Sequence, residues 1–589
     1  MTATRFLSRR RPAGRRPTPP VPGRPPASDG PATTARRPAG RVGRYAAEVA
    51  VSVGCALLFT LWARNIDVDP LDRRGQVAGL AALQFRFAAL AAVLVVALLL
   101  AHRYAGPAGR AHAVALGCAA VAGLTTGLVA GGIDVALRDT PWSLWAGGGD
   151  YDWIRSWIEM MRRGESVPAH YPPVILYLIW GWSRLGGEPL AYALKEIQVV
   201  GTALFGPAAY LAWRGTMRPV WALGVGVVAM LPFIEPVKPY PQITLVMLVP
   251  VLVWFLHLVR RGAGRRTGRA VALGAAFGAG LGLLFLLYSG WFVWCAPGAL
   301  LAFALLAPWR TGTRPTVATA VAALAAFLVV SWVHLRGLLA STGGTSDAYF
   351  YFDTSTEPAY IAMWRNDRPA DVGTVWPPLG ELGGVGLFTI GLVIGLGVAL
   401  WLGWRRTAVV TLGLCAASAW FLRMWLASEQ WATQTVRLYP RTTMVLLYCL
   451  LLLTGFALRY AVTAVRERLA AAPATRRPVP MALLLVPLLL VLASAGSATA
   501  DRYMPVSRRD HTGYFAWIAQ TKRLIGGGCS KYGRLHGCGS PNPPAVPDHS
   551  AGRPAVPMRP AATGSPAAPT PTPTLTPSPK PTVSARTAR

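Results

Sequence analysis

Apolar residues gather in blocks of about twenty, parted by short stretches rich in Arg, Pro and Gly. The blocks lie at about 45–63, 80–101, 112–133, 196–214, 219–236, 242–259, 270–288, 291–309, 315–336, 383–404, 407–427, 442–461 and 479–499. A helix rises 1.5 Å per residue, so about 20 residues cross a hydrocarbon core of ~30 Å. Continuous runs of that length lack the alternation of a half-buried strand and predict membrane-crossing helices. The expected fold class is an all-α polytopic membrane protein, with about thirteen transmembrane helices over residues 45–499.

One further apolar stretch, Tyr171–Gly187 (YPPVILYLIWGWSRLGG), is short, Pro-led and rich in Trp. Charge decides its place, because basic residues favour the cytoplasmic ends of spans. With the Arg-rich N-terminus inside, three crossings put the segment from Asp134 outside. Arg260–Arg269 carries five Arg and belongs inside, so an odd number of crossings separates the two. Laying 171–187 flat in the interface, as its aromatic content suits, leaves three. The C-terminus is then outside. Arg310, Arg314, Arg405, Arg406 and the run from Arg459 to Arg477 fall inside as well. The acids play no part in setting this topology, yet all 25 except Asp29, Glu48 and Glu467 fall outside. Polar chemistry is therefore expected on the extracytoplasmic face.

Composition narrows the class. Of 589 residues 53% are hydrophobic and 14% charged, against about 25% charged in an average soluble domain. That rules out a soluble globular enzyme as the default reading. The net charge of +33 is concentrated in tails and short loops, where topology signals put it. A lipid bilayer is the expected partner, and nucleic acid is not. Residues 1–44, with eleven Arg, and 540–589, rich in Pro and Thr, carry too little apolar surface to fold and are expected to be disordered. Residues 500–539 make a short outer segment. No cleavable signal peptide precedes the span near Tyr45, which would act as an uncleaved anchor.

Cys55, Cys118, Cys295, Cys415 and Cys449 lie singly in spans and read as small packing residues. Cys529 and Cys538 sit in GGGCSKYGRLHGCGSP, in the outer tail, where a disulfide can form. With only His536 between them they do not suit a zinc site.

Three outer segments hold most of the polar residues. The first, Asp134–Lys195, contains GGGDYDWIRSWIEMMRRG. Its Gly run admits close backbone approach, and Asp150 and Asp152 then open an amphipathic helix. Trp153, Trp157, Met160 and Met161 are expected on one face, with the helix at the membrane surface and both carboxylates just above the lipid. The second, Gly337–Pro378, mixes aromatic residues with Asp353, Glu357, Arg365, Asp367, Arg368 and Asp371. Aromatic faces beside carboxylates suit a sugar, whose C–H faces stack while its hydroxyls hydrogen-bond. The alternative is a solvated loop with interfacial anchors. The third, Ser428–Arg441, lies near Arg423 in the preceding span. Charge inside a span is costly and usually has a partner or a task. Arg423, Arg437 and Arg441 run against the positive-inside bias and could hold a lipid phosphate. Pairing with Glu429, or snorkelling to head groups, is the alternative.

Asp150 and Asp152 form a D-x-D pair, which alone is a weak motif. A divalent metal is left open as a cofactor. A carboxylate that takes a proton from an acceptor hydroxyl makes that oxygen nucleophilic. If the donor is a lipid phosphosugar, the leaving group is a phosphate, which needs cations or a metal rather than a general acid. One base and a cationic cluster at the membrane face would suffice for inverting glycosyl transfer.

These elements resemble the C-type (GT-C) glycosyltransferase superfamily and, within it, the actinobacterial galactan 5-O-arabinofuranosyltransferase family. The resemblance is carried by GGDYDWIR at Gly148–Arg155, YPPVILYLIWGWSRLGG at Tyr171–Gly187 and EPLAYALK at Glu188–Lys195. PPLGELGGVGLFT at Pro377–Thr389 and LYPRTT at Leu438–Thr443 continue it. It spans about residues 45 to 525. It implies a GT-C-like fold, a decaprenylphosphoryl-arabinofuranose donor and a cell-wall galactan acceptor. The product would be an α-arabinofuranosyl branch, made at the outer face of the cell membrane. Asp150 matches the aspartate of the family's GGD element, which gives it the base role. Asp152 and the Pro/Thr-rich end depart from the family pattern. Arg155, Tyr171, Lys195, Glu381 and Arg441 lie in the shared elements and are expected to bind substrate. Lys238, Arg365, Arg423 and Arg437, all on the outer side, complete that set.

Two other classes compete. A transporter or flippase of lipid-linked sugars would have a similar span count, but with charges or broken helices near mid-membrane and often repeats. Here the charges cluster at one face. A non-catalytic assembly protein would not need the acidic loop.

Overall fold

A computed structural model describes residues 39–148, 150–262, 264–341, 387–433, 441–469, 481–509 and 511–538. The chain divides into two units, Met1–Ala47 and Glu48–Arg589. In the first, the described residues belong to the helix Ala39–Ala63. Among the described residues there is no strand.

Where they are described, the thirteen apolar stretches fall mainly on helices, with residues such as 234–236 and 307–309 beyond the helix ends. Among the described residues, nine helices are long and apolar enough to cross a membrane. Pro219–Phe233, Gly290–Leu306 and Phe388–Gly403 are apolar but shorter. Leu190–Arg214 is long, and Lys195, Glu196 and Arg214 interrupt its apolar run. Phe85, Val329, Val333 and Trp401 are each more than 75% exposed on these helices. Apolar surface on that scale suits hydrocarbon rather than water. The chain has the make-up of a multi-pass membrane protein.

Small residues let the helices approach, as lipid requires when the hydrophobic effect cannot drive them together. Gly274, Gly278 and Gly282 line one edge of Thr267–Leu287 and face Thr313–Ser341. A Cβ added at Gly278 would lie 2.0 Å from the Ala323 carbonyl oxygen, and one at Gly274 2.3 Å from that of Thr319. The most buried helix is Pro107–Ala136, enclosed almost continuously from Ala115. Where Leu190–Arg214 crosses it, the Thr126 hydroxyl donates to the Ala203 carbonyl at 2.7 Å and accepts the Gly206 N–H at 3.1 Å. Glu48 is buried and accepts from Arg214 Nε at 2.6 Å and Nη2 at 2.8 Å; the Tyr210 hydroxyl donates to it at 2.9 Å.

Two helices pack beside the spans. Pro173–Gly186 has 14 residues, about 21 Å of rise and too short for a ~30 Å core. It starts on a proline and stops at Gly187, whose left-handed φ of 66° would strain a larger residue. Ile175, Leu176 and Ile179 face inward, while Tyr177, Leu178, Trp182 and Leu185 face outward. Asp150–Arg162 is the other. Its inward face is Tyr151, Ile154 and Ile158, and the Trp153, Trp157, Met160 and Met161 set lies on a different, more exposed face. The Tyr151 hydroxyl donates to the Ala191 carbonyl at 2.7 Å and turns its own face in. Trp153 is left exposed, stacked on the half-buried Trp157.

Beyond Met481–Arg502, residues 503–509 and 511–538 fold back over the ends of the helices. Cys529 and Cys538 are joined by a disulfide, with Cα atoms 6.0 Å apart. The Tyr532 hydroxyl donates to Asp67 at 2.7 Å, and His536 Nε2 lies 3.3 Å from Asp69. The 64–72 link, the segment after Ala136 and the tail thus meet at one end of the bundle. At the far end of Pro239–Arg260, Arg260 donates to the Arg405 carbonyl and the Thr407 hydroxyl.

Candidate functional site

Asp150 lies in the first turn of its helix, and Lys238 immediately precedes the spanning helix Pro239–Arg260. Pro239 suits that first helical position, where the missing N–H needs no partner. The Lys238 ammonium and the Asp150 carboxylate form an ion pair. They stand at a cleft lined also by Leu144, Trp145, Gln198 and Tyr240. Burial, and then the neighbouring Arg441 charge, push Lys238 down to about 8.

A run of aromatic hydroxyls continues from the cleft. Tyr171 and Tyr240 share a hydrogen bond between hydroxyls. The rings of Tyr240 and Tyr288 lie 6.4 Å apart, and Arg441 Nη1 donates to the Tyr288 hydroxyl at 2.8 Å. Burial pushes the Tyr171 phenol up to about 12, so it stays protonated at neutral pH. Trp157 covers Tyr171 with ring centroids 4.5 Å apart. Arg423 is fully buried in Thr407–Ser428, where Nη1 donates to the hydroxyls of Thr443 at 2.8 Å and Thr442 at 3.3 Å. The LYPRTT element therefore links Arg423 and Arg441 through adjacent residues.

Two features hold the cleft's shape. The buried Gln198 accepts the Leu144 N–H at 2.9 Å through Oε1 and donates to the Val237 carbonyl at 2.9 Å through Nε2. One side chain thus fixes the segment leading to Asp150 and the residue before Lys238. Trp145 adopts a left-handed φ of 62°, uncommon for a bulky residue. Its N–H donates to the Phe515 carbonyl at 3.3 Å, and its ring rests on the Phe515 ring at 5.0 Å.

The expected site residues divide three ways. Asp150, Tyr171, Lys238 and Arg441 are brought together, with Arg423 tied in through Thr442 and Thr443. Asp152 points elsewhere, half exposed and 4.0 Å from Arg155 one helical turn on; such a surface pair is worth little. Lys195 is also turned away from the cleft. It donates to the Leu137 carbonyl at 2.9 Å and the Thr140 carbonyl at 2.7 Å, near the C-terminus of Pro107–Ala136. Arg365, Glu381 and Arg437 lie outside the described residues, as do 342–378 of the second outer segment, residues 1–38 and the tail 540–589. Residues 39–44, expected to be disordered with the N-terminal tail, instead begin the helix Ala39–Ala63. Among the described residues no group of three or more His, Cys, Asp or Glu is arranged to hold a metal.

Gln198 and Tyr240 carry a weak signal in the sequence, as polar groups in apolar helices. Trp145 and Phe515 carry none, because their meeting depends on the tail. No protein-family model matches the sequence, and no curated protein sequence matches it. Chemically, the arrangement offers a carboxylate able to accept a proton, two cations able to hold an anion, and an aromatic wall.

Proposed function

We propose that the chain is a membrane glycosyltransferase of GT-C type. It takes a sugar, arabinofuranose by resemblance, from a polyprenyl-phosphate donor and adds it to a cell-wall galactan. With the N-terminus inside and three crossings before it, Asp150 is on the extracytoplasmic face of the cell membrane in this reading. Asp150 takes the proton from the acceptor hydroxyl, and that oxygen attacks the anomeric carbon from the side opposite the phosphate. Lys238 and Arg441 hold the departing phosphate, and the lipid chain stays in the bilayer.

The observation that carries the reading is the Asp150–Lys238 pair at a cleft beside Arg441, at the end of lipid-suited helices. A base and a phosphate site are thus adjacent where a lipid-borne donor would arrive. The test offers membranes containing the protein a panel of polyprenyl-phosphate sugars with a galactan acceptor. Transfer from the arabinofuranosyl donor supports the reading, and transfer from another member changes only the sugar. Movement of donor lipid across the membrane without product would instead favour a transporter. Chelation of divalent ions in the same assay reads metal dependence.

A further inference from the structure

The loop that leads to Asp150 is held along its length by the C-terminal tail. Gln520 is buried, and its amide donates to the carbonyls of Ala136 at 3.0 Å and Arg138 at 2.9 Å. The Thr140 hydroxyl donates to the Ala519 carbonyl at 2.9 Å, and Trp142 Nε1 to the Arg523 carbonyl at 3.1 Å. Trp145 donates its N–H to Phe515. Lys522 donates to the Ala146 carbonyl, with its ammonium 4.4 Å from the Trp142 ring centroid and 5.7 Å from that of Tyr151. Tyr151 adjoins Asp150 in the same helical turn.

The disulfide supports this clamp from behind. Within the closed loop, Ser530 donates its hydroxyl to the Gln520 carbonyl at 3.0 Å and accepts the Gly533 N–H at 3.3 Å. Gly533 packs so close that a Cβ there would lie 2.3 Å from the same Gln520 carbonyl oxygen. The loop it fixes is a demanding one, with left-handed backbone at Asp139 and Trp145. Such conformations persist only where the surroundings over-determine them.

We propose that residues 514–538 form a disulfide-closed clamp that positions Asp150 for its task, with Lys522 as the positioning residue. The proposal rests on the reading of Asp150 as the base. Lys522 touches no reacting atom. It fixes the backbone at Ala146 and the ring of Tyr151, and so sets where the carboxylate stands. A misplacement of about 1 Å at a reacting group can cost roughly 10²-fold in rate.

The test combines hydrogen exchange over residues 139–150 with transfer kinetics, on the full-length protein in detergent or nanodiscs. Lys522→Met and the Cys529→Ser/Cys538→Ser pair are expected to speed exchange in that window. They should lower kcat roughly 10²-fold while leaving donor affinity unchanged, and Lys522→Arg should restore both. If the cysteine variant does not fold, Lys522→Met decides alone. Wild-type exchange over 139–150 in Lys522→Met would overturn the clamp. Faster exchange there in a protein with no transferase activity would uphold the clamp as a structural device and refute the catalytic reading separately.

Discussion

Asp150 and Lys238 meet across the cleft as a carboxylate and an ammonium, one from a helix beside the spans and the other from the start of a spanning helix. Each partner's charge is taken up by the other. If the proposed transfer is the activity, a donor phosphate would draw on Lys238 and release the Asp150 carboxylate for the acceptor proton.

The first prediction follows from the Lys238 titration. Burial and Arg441 push this group down to about 8, so it is charged below that pH and neutral above it. If it holds the donor phosphate, donor affinity stays constant below about pH 8 and weakens as pH rises through it. Lys238→Arg keeps its charge across the range and should remove the fall. Donor affinity measured against pH for both proteins checks this, and an identical fall in the variant would assign it to another group.

A second prediction concerns helix packing. Gly278 meets the Ala323 carbonyl, whereas the space beside Gly280 on the same helix is open to 4 Å. Gly278→Ala must push the helices apart and should destabilise by about 1–3 kcal/mol. Gly280→Ala adds a methyl into open space and relieves glycine's entropy cost, a gain of about 0.5–1 kcal/mol. Unfolding of the two variants in detergent should shift in opposite directions.

Third, the Glu48–Arg214 pair should cost more to break than to replace. Glu48 is buried and accepts both Arg214 contacts. Arg214→Met leaves that carboxylate uncompensated, at a cost of about 3–5 kcal/mol. Glu48→Gln combined with Arg214→Met removes both charges and should recover much of the loss. A double variant no more stable than Arg214→Met would show that the pair contributes packing rather than charge compensation.

The helices were legible because lipid imposes one rule on every span: about twenty apolar residues with internally satisfied backbone. The short helix over Pro173–Gly186 was legible through its leading proline and aromatic face. Position in a Gly-rich turn made Asp150 conspicuous, and its contact with Lys238 was not visible because the two lie on separate elements. Lys195 shows the limit from the other side. A cation in a motif is read as a ligand-holder, yet its ammonium is taken up by the carbonyls of Leu137 and Thr140. Which face of Asp150–Arg162 packs inward was not legible, because Tyr151, Ile154 and Ile158 and the Trp/Met set are both apolar enough to be buried. The Tyr151 hydroxyl bond that sets the orientation is a tertiary contact. Gln520 and Lys522 escaped for the same reason: their partners lie in the segment after Ala136, far back in the chain.

The most direct measurement of the central claim is single-turnover transfer by Asp150→Asn beside wild type, in membranes of matched expression with the arabinofuranosyl-phosphate lipid and galactan. Asn keeps the shape and hydrogen bonding of the side chain but cannot take the acceptor proton. The account predicts a rate lower by ~10²–10⁴-fold, with donor affinity no weaker than wild type because the carboxylate acts on the acceptor. A transfer rate equal to wild type in Asp150→Asn would contradict it.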